Sequence, residues 1–221
     1  MTDAAFASGV IAVVRLPQAA PSDLRAVGAA LVAGGVTAVE ITLTTPGALQ
    51  AIGELAADDD VQTGGCVLGA GTVLDERSAR EVIAAGARFV VSPTLDRTVM
   101  RYCRDRNVPY LPGALTPTEL LEARRAGAHM VKLFPASLVG PRYVREILAP
   151  LPFLRLVPSG GVALEGAGDW IRAGAAAVSV GSALVSASLV RDESWAEVTA
   201  RARALVESVA AARRQLAGAP A

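Results

Sequence analysis

A length of 221 residues fits one (βα)8 barrel, at the lower end of that class. Hydrophobic residues make up 52% of the chain and aromatics only 4%, so the core is built mainly from Ala, Val, Leu and Ile, which suits parallel strands buried on both faces. The 21 basic residues balance 21 acidic ones, with no basic block and no acidic tail, which argues against a nucleic-acid or membrane partner. His129 is the lone histidine and excludes the usual multi-histidine zinc sites. Cys66 and Cys103 lie far apart without ligand spacing, and each reads as a buried, reduced structural thiol.

In chain order, the apolar run Ala4 to Val14 lacks a basic leader and is too short to span a bilayer. It reads as the first buried strand of a cytoplasmic protein. Four later stretches share one pattern: Ala33-Gly34-Gly35-Val36, Ala85-Gly86-Ala87-Arg88, Ala126-Gly127-Ala128-His129 and Ala173-Gly174-Ala175-Ala176. Each follows a helix-like segment and leads into an apolar run, as expected where a glycine ends a helix ahead of a buried strand. Repetition of that join means repeated αβ units. Strands are predicted near 9–15, 36–42, 66–70, 88–92, 109–112, 129–134, 154–157 and 176–180. Helices follow each, from 21–33 to a long last one over 194–216, and a frayed tail runs from Ala217 to Ala221. A spacing of about 24 residues per strand suits βα crossovers rather than hairpins. The expected fold is α/β, a single (βα)8 TIM barrel forming one domain over residues 1–221. A doubly wound open sheet is the alternative, disfavoured by eight units without a dinucleotide-type glycine fingerprint.

In such a barrel the site lies at the C-terminal ends of the strands. Those ends carry Arg15, then Glu40, Thr42 and Thr44, then Gly69-Ala70-Gly71-Thr72, Ser92-Pro93 and Pro112-Gly113. Further on come Lys132 and Phe134, Ser159-Gly160-Gly161 and Gly181-Ser182. Glu40 and Lys132 each interrupt an apolar strand, and charged residues are rarely buried unless paired or functional. An internal salt bridge that merely holds the barrel is the competing reading. Lys132 is the sole lysine among 21 basic residues, the rest being arginine. A position kept as lysine in such a composition needs what arginine lacks, an amine that can lose its proton and attack a carbonyl. Burial in an apolar barrel favours the neutral, nucleophilic form of an amine. The glycine turns at 160–161 and 181–182 offer backbone N–H groups to an anion, where barrels of this kind commonly hold phosphate. A Gly-Gly pair alone is more often a tight turn. Arg15 suits a carboxylate or a rim salt bridge, and Thr72 suits the same carboxylate or the cap of the next helix. His129 begins strand 6 at the opposite face and takes no chemical role.

These residues resemble the 2-keto-3-deoxy-6-phosphogluconate aldolase family, which includes 4-hydroxy-2-oxoglutarate aldolases and the phosphogalactonate enzymes. The matching pieces run from Val39-Glu40-Ile41-Thr42-Leu43 through Gly69-Ala70-Gly71-Thr72-Val73, Val91-Ser92-Pro93 and Pro112-Gly113. They continue with Val131-Lys132-Leu133-Phe134-Pro135-Ala136, Pro158-Ser159-Gly160-Gly161-Val162 and Val180-Gly181-Ser182. The resemblance implies a class I aldolase, a homotrimer, and neither metal nor organic cofactor. By position it makes Lys132 the Schiff-base lysine and Glu40 the general acid/base. It gives the pyruvyl carboxylate to Arg15 and Thr72, the pocket walls to Pro93 and Phe134, and a distal phosphate to Ser159, Gly160, Gly161, Gly181 and Ser182. Gluconate-type members often carry arginine where this chain has Thr44, and Ser159 stands where threonine is common. Rival readings are another 2-oxo acid, such as the phosphogalactonate, and a phosphate-binding barrel of different chemistry, an epimerase or a transferase like thiamine-phosphate synthase. A non-catalytic sugar-phosphate binder, with Glu40 and Lys132 paired structurally, is the third.

Overall fold

In the computed structural model, which describes residues 6–17, 20–58 and 65–218, strands and helices alternate. The first half comprises β1 Val10–Val14, α1 Pro21–Ala33, β2 Ala38–Thr42, α2 Ala48–Ala56, β3 Val67–Gly71, α3 Glu76–Ala84, β4 Phe89–Val91 and α4 Arg97–Arg104. Then come β5 Tyr110–Leu111, β6 Gly113–Ala114, α5 Pro117–Arg125, β7 Val131–Leu133, α6 Pro141–Leu148, β8 Leu156–Pro158, α7 Ala167–Arg172, β9 Val178–Val180, α8 Ala187–Arg191 and α9 Trp195–Ala217.

One parallel sheet runs β5-β4-β3-β2-β1-β9 and a second β6-β7-β8. Two joins close them into a ring. β5 and β6 are one barrel strand interrupted at Pro112, which has no N–H to give the ladder. This corrects the continuous strand expected over 109–112. The Pro112 carbonyl still accepts from Lys132 N–H at 2.9 Å. On the other side, a bridge between Ser159 and Ser179 and the bond from Ala176 N–H to Leu156 O (2.9 Å) tie β8 to β9. The eight-unit barrel expected from the sequence is therefore present, and the open sheet is not.

The repeated joins have the conformation that calls for glycine. Gly35, Gly86, Gly127 and Gly174 have φ of 87°, 111°, 111° and 102°, where a side chain would be strained. Helix starts are capped by local polar residues. Asp75 accepts from Ser78 N–H, Asp96 from Thr98 and Val99 N–H, and Thr116 with Glu119 forms a capping box. Asp75, not Thr72, therefore caps the helix after β3. The tail expected from Ala217 is still helical at Ala217, and residues 219–221 lie outside the described residues, as do residues 4 and 5 of the first apolar run. Cys103 is buried as expected, whereas Cys66, at the edge of β3, is only half-buried; both are free. Burial pushes their thiols up, to about 12 and about 11.

The register fixes which side chains share a level inside the barrel. Strands tilt, so staying level means moving one residue forward at each neighbouring strand. Starting at Glu40, this walk passes Ala70, Val91, Pro112, Lys132, Pro158, Ser179 and Ala12 and returns to Glu40. In a barrel of this class the four inward side chains of a level come from alternate strands. That level is Glu40, Val91, Lys132 and Ser179. Below it lies an apolar floor of Ile11, Ala38, Phe89, Leu111, Met130, Val157 and Ala177. Half a step above, the walk gives Val13, Gly71, Gly113 and Ser159, which leave the centre open.

Candidate active site

Glu40 and Lys132 enter the barrel from β2 and β7. They are 0% and 5% exposed, and Lys132 Nζ stands 4.0 Å from Glu40 Oε1. That separation is an electrostatic contact, too long for a hydrogen bond. Neither Glu40 carboxylate oxygen has a hydrogen-bond partner among the described residues. Burial pushes the Glu40 carboxyl up, and the charges of Lys132 and Arg15 pull it part of the way back. A carboxyl so placed can give and take protons closer to neutral pH than an exposed one. Backbone shape makes the room. A Cβ on Gly71 would collide with the Glu40 carboxylate, and one on Gly113 with the Pro93 carbonyl.

Above the pair opens a cavity of about 500 Å³ lined by Arg15, Lys132, Phe134, Ser159, Gly160, Gly161, Gly181 and Ser182, along with Val13, Val162, Ala163 and Ala183. Eight of the eleven site residues expected from the sequence thus line one space. Gly160 and Gly161 form its far wall with φ of 82° and 85°; a Cβ there would meet the Phe134 ring and Ser137. The Phe134 ring centroid lies 5.2 Å from Lys132 Nζ. Pro93 lines a neighbouring cleft of about 380 Å³ that shares Phe134 as a wall. Thr72 lines neither cavity. It sits half-buried beside Gly71 with a left-handed φ of 61°, a strained conformation for threonine. Arg15 is exposed at the mouth and has no salt-bridge partner among the described residues. Thr44 is exposed too, its hydroxyl 2.9 Å from that of buried Thr42. Thr45 accepts from Leu16 N–H at 3.1 Å, tying the segment after β1 to the segment after β2. Sequence reasoning missed Ser179 of β9. Its signal was the step from Ala177 to Ser179 to Gly181 along one face of the strand.

A barrel holding a buried lysine and carboxyl beneath a cavity walled by glycine turns is suited to carbonyl chemistry through a covalent amine. The family model for KDPG and KHG aldolase matches residues 4–201, and the chain belongs to that family. The 2-dehydro-3-deoxy-phosphogluconate aldolase of Pseudomonas aeruginosa is 36% identical over 87% of this chain and 86% of its own length. A probable 2-dehydro-3-deoxy-6-phosphogalactonate aldolase of Rhizobium meliloti is 36% identical over 81% and 86%. Among solved structures, KDPG aldolase from Legionella pneumophila, with pyruvate captured as a covalent carbinolamine, superposes with a TM-score of 0.81 at 29% identity, over 91% of this chain and 96% of that one. No helix among the described residues is long and apolar enough to cross a membrane.

Proposed function

We propose that this aldolase cleaves 2-dehydro-3-deoxy-6-phosphogluconate to pyruvate and glyceraldehyde 3-phosphate through a Schiff base on Lys132, with 4-hydroxy-2-oxoglutarate as a further substrate giving pyruvate and glyoxylate. The observation that carries this reading is the buried Lys132–Glu40 pair, 4.0 Å apart, with Lys132 lining the cavity and Glu40 buried behind it.

Lys132 attacks the 2-oxo carbon to give a carbinolamine. Glu40, protonated, gives its proton to the departing hydroxyl; the C–O bond breaks, water leaves and an iminium forms. Glu40, now ionised, takes the proton of the C4 hydroxyl, directly or through a water. The C3–C4 bond breaks and its electrons pass to the iminium, giving an enamine. The iminium is a far better electron sink than the ketone, which is the gain from covalent catalysis. Glu40 returns its proton to C3, and hydrolysis frees pyruvate. Arg15 and Thr72 hold the pyruvyl carboxylate, and Phe134 and Pro93 wall the reacting carbons. Ser159, Gly160, Gly161, Gly181 and Ser182 hold the phosphate through hydroxyls and backbone N–H groups. A homotrimer is part of this reading, supported by Leu74 and Leu138, 54% and 71% exposed at the mouth end. So are one catalytic domain and a cytoplasmic site of action, the latter supported by the two free thiols.

A second reading, the phosphogalactonate as preferred substrate, is favoured by Thr44, which places a neutral hydroxyl just after β2, 2.9 Å from that of Thr42. Cleavage rates on the three compounds decide between them. Fastest turnover of the phosphogluconate supports the first reading; turnover of none of them removes both.

A further inference from the structure

Among the described residues, the buried side-chain atoms without a hydrogen-bond partner are both carboxylate oxygens of Glu40 and the hydroxyl of Ser179. They belong to one level of the barrel. Ser179 is 3% exposed and faces inward from β9, since its neighbours Val178 and Val180 pack in the outer core. Around that level it stands between Lys132 of β7 and Glu40 of β2, with Val91 opposite. It also pairs with Ser159, which lines the cavity. A buried, unpaired hydroxyl is unfavourable, and alanine would fill the same space without that cost, as it does two residues earlier at Ala177. A serine here therefore points to a polar occupant of the level that the hydroxyl serves.

We infer that Ser179 is a positioning residue for Glu40: through a water held in the level between β9, β1 and β2, its hydroxyl donates toward the Glu40 carboxylate and fixes the route by which protons pass between Glu40 and the adduct on Lys132. The inference rests on the aldolase reading. Atoms balance along that route. In the reversible reaction of bound pyruvate, the iminium gives a C3 proton to the Glu40 carboxylate and the electrons of the C3–H bond form the enamine; Glu40 then returns a proton to C3, or a solvent deuteron where its own proton has exchanged with the water beside it. Ser179 neither gains nor loses a proton over the cycle. It orients the carrier and favours the ionised carboxylate by donating to it. The charged groups facing Glu40 are Lys132 from β7 and Arg15 from the end of β1. The other inward neighbours, Val13, Val91, Gly69 and Gly71, do not titrate, so a change in the Glu40 limb is traceable to the hydroxyl.

The test compares the wild-type chain with Ser179→Ala and Ser179→Thr. Each is incubated with pyruvate; the adduct is counted after borohydride reduction, and deuterium entry at C3 is followed by NMR against pH. Ser179→Ala is expected to keep the wild-type amount of adduct while C3 exchange slows about tenfold, the weight of one hydrogen bond. The limb along which exchange rises with pH moves to higher pH, because the carboxylate has lost a donor. Ser179→Thr restores both. Wild-type exchange and an unmoved limb in Ser179→Ala would overturn the inference, and so would loss of adduct in step with exchange, which marks Ser179 as packing alone. Absence of adduct in the wild-type chain is a different result: it overturns the aldolase reading itself.

Discussion

The two ends of the barrel use the same strands to opposite purposes. Toward the N-terminal ends the inward residues are apolar, and Phe89 packs edge-on against Phe6 with ring centroids 5.3 Å apart and fills the space that Gly69 leaves. Among the described residues, no buried side-chain polar atom at that end lacks a partner. Arg213 of α9 donates to the carbonyls of Ala7 (2.7 Å) and Ala176 (2.9 Å). Two residues further along the same strands, Ala38 gives way to Glu40, Met130 to Lys132 and Ala177 to Ser179, and hydrogen bonding is left incomplete. The floor can hold the fold together because nothing there has to react. The level above carries unpaired buried groups, which cost stability, and that cost is the mark of a site kept ready for a ligand.

The sharpest way to break this division is at Lys132. Lys132→Arg keeps the charge beside Glu40 but removes the nucleophile, so cleavage falls to background and no adduct forms, while circular dichroism stays that of the wild type. Next is Glu40→Gln, expected to keep the pyruvate adduct and lower cleavage by about 10²- to 10⁴-fold in steady-state assays. The same substitution separates activity from stability. Because burial raises the Glu40 carboxyl above its ordinary value of 4.5, the folded chain binds this proton more tightly than the unfolded one. The resulting stabilisation is full below the ordinary value and is lost as the pH rises through the raised one. Glu40→Gln should therefore unfold at a higher temperature than wild type at neutral pH, and the gap should close on acidification.

The floor should answer in the opposite sense. Phe89→Ala is expected to cost about 3–5 kcal/mol in denaturant unfolding, with KM for the 2-oxo acid unchanged among the molecules that remain folded. A large KM change there would show that floor and site are not separable. The smallest effect is expected from Arg213→Ala, roughly 1 kcal/mol of stability from the lost bonds to two carbonyls, with no change in turnover.

Much of this was legible from the chain. The four Ala-Gly joins stated the αβ repeat because only glycine suits the left-handed conformation that each adopts. Glu40 and Lys132 were visible because a charge inside an apolar run is too costly to bury unless it is paired or reactive. Two kinds of feature were not. Pro112 splits a strand by withholding one donor, and the chain gives no sign that the ladder resumes at Gly113. Ser179 was hidden for a deeper reason. Alanine, valine and serine read as an ordinary strand, and its place beside Glu40 and Lys132 arises from the stagger accumulated around the whole ring. Thr44 was legible as a polar residue just past the second strand, yet its hydroxyl pair with Thr42 is created only by the folded turn.

The most direct measurement is the mapping of the trapped adduct. The chain is incubated with pyruvate, reduced with borohydride, digested and examined by tandem mass spectrometry. Since Lys132 is the sole lysine, the N-terminal amine is its only ordinary rival. A pyruvate-derived mass on the peptide that holds Lys132, located at that residue, is the expected result. An unmodified Lys132 under conditions of active turnover would contradict the account.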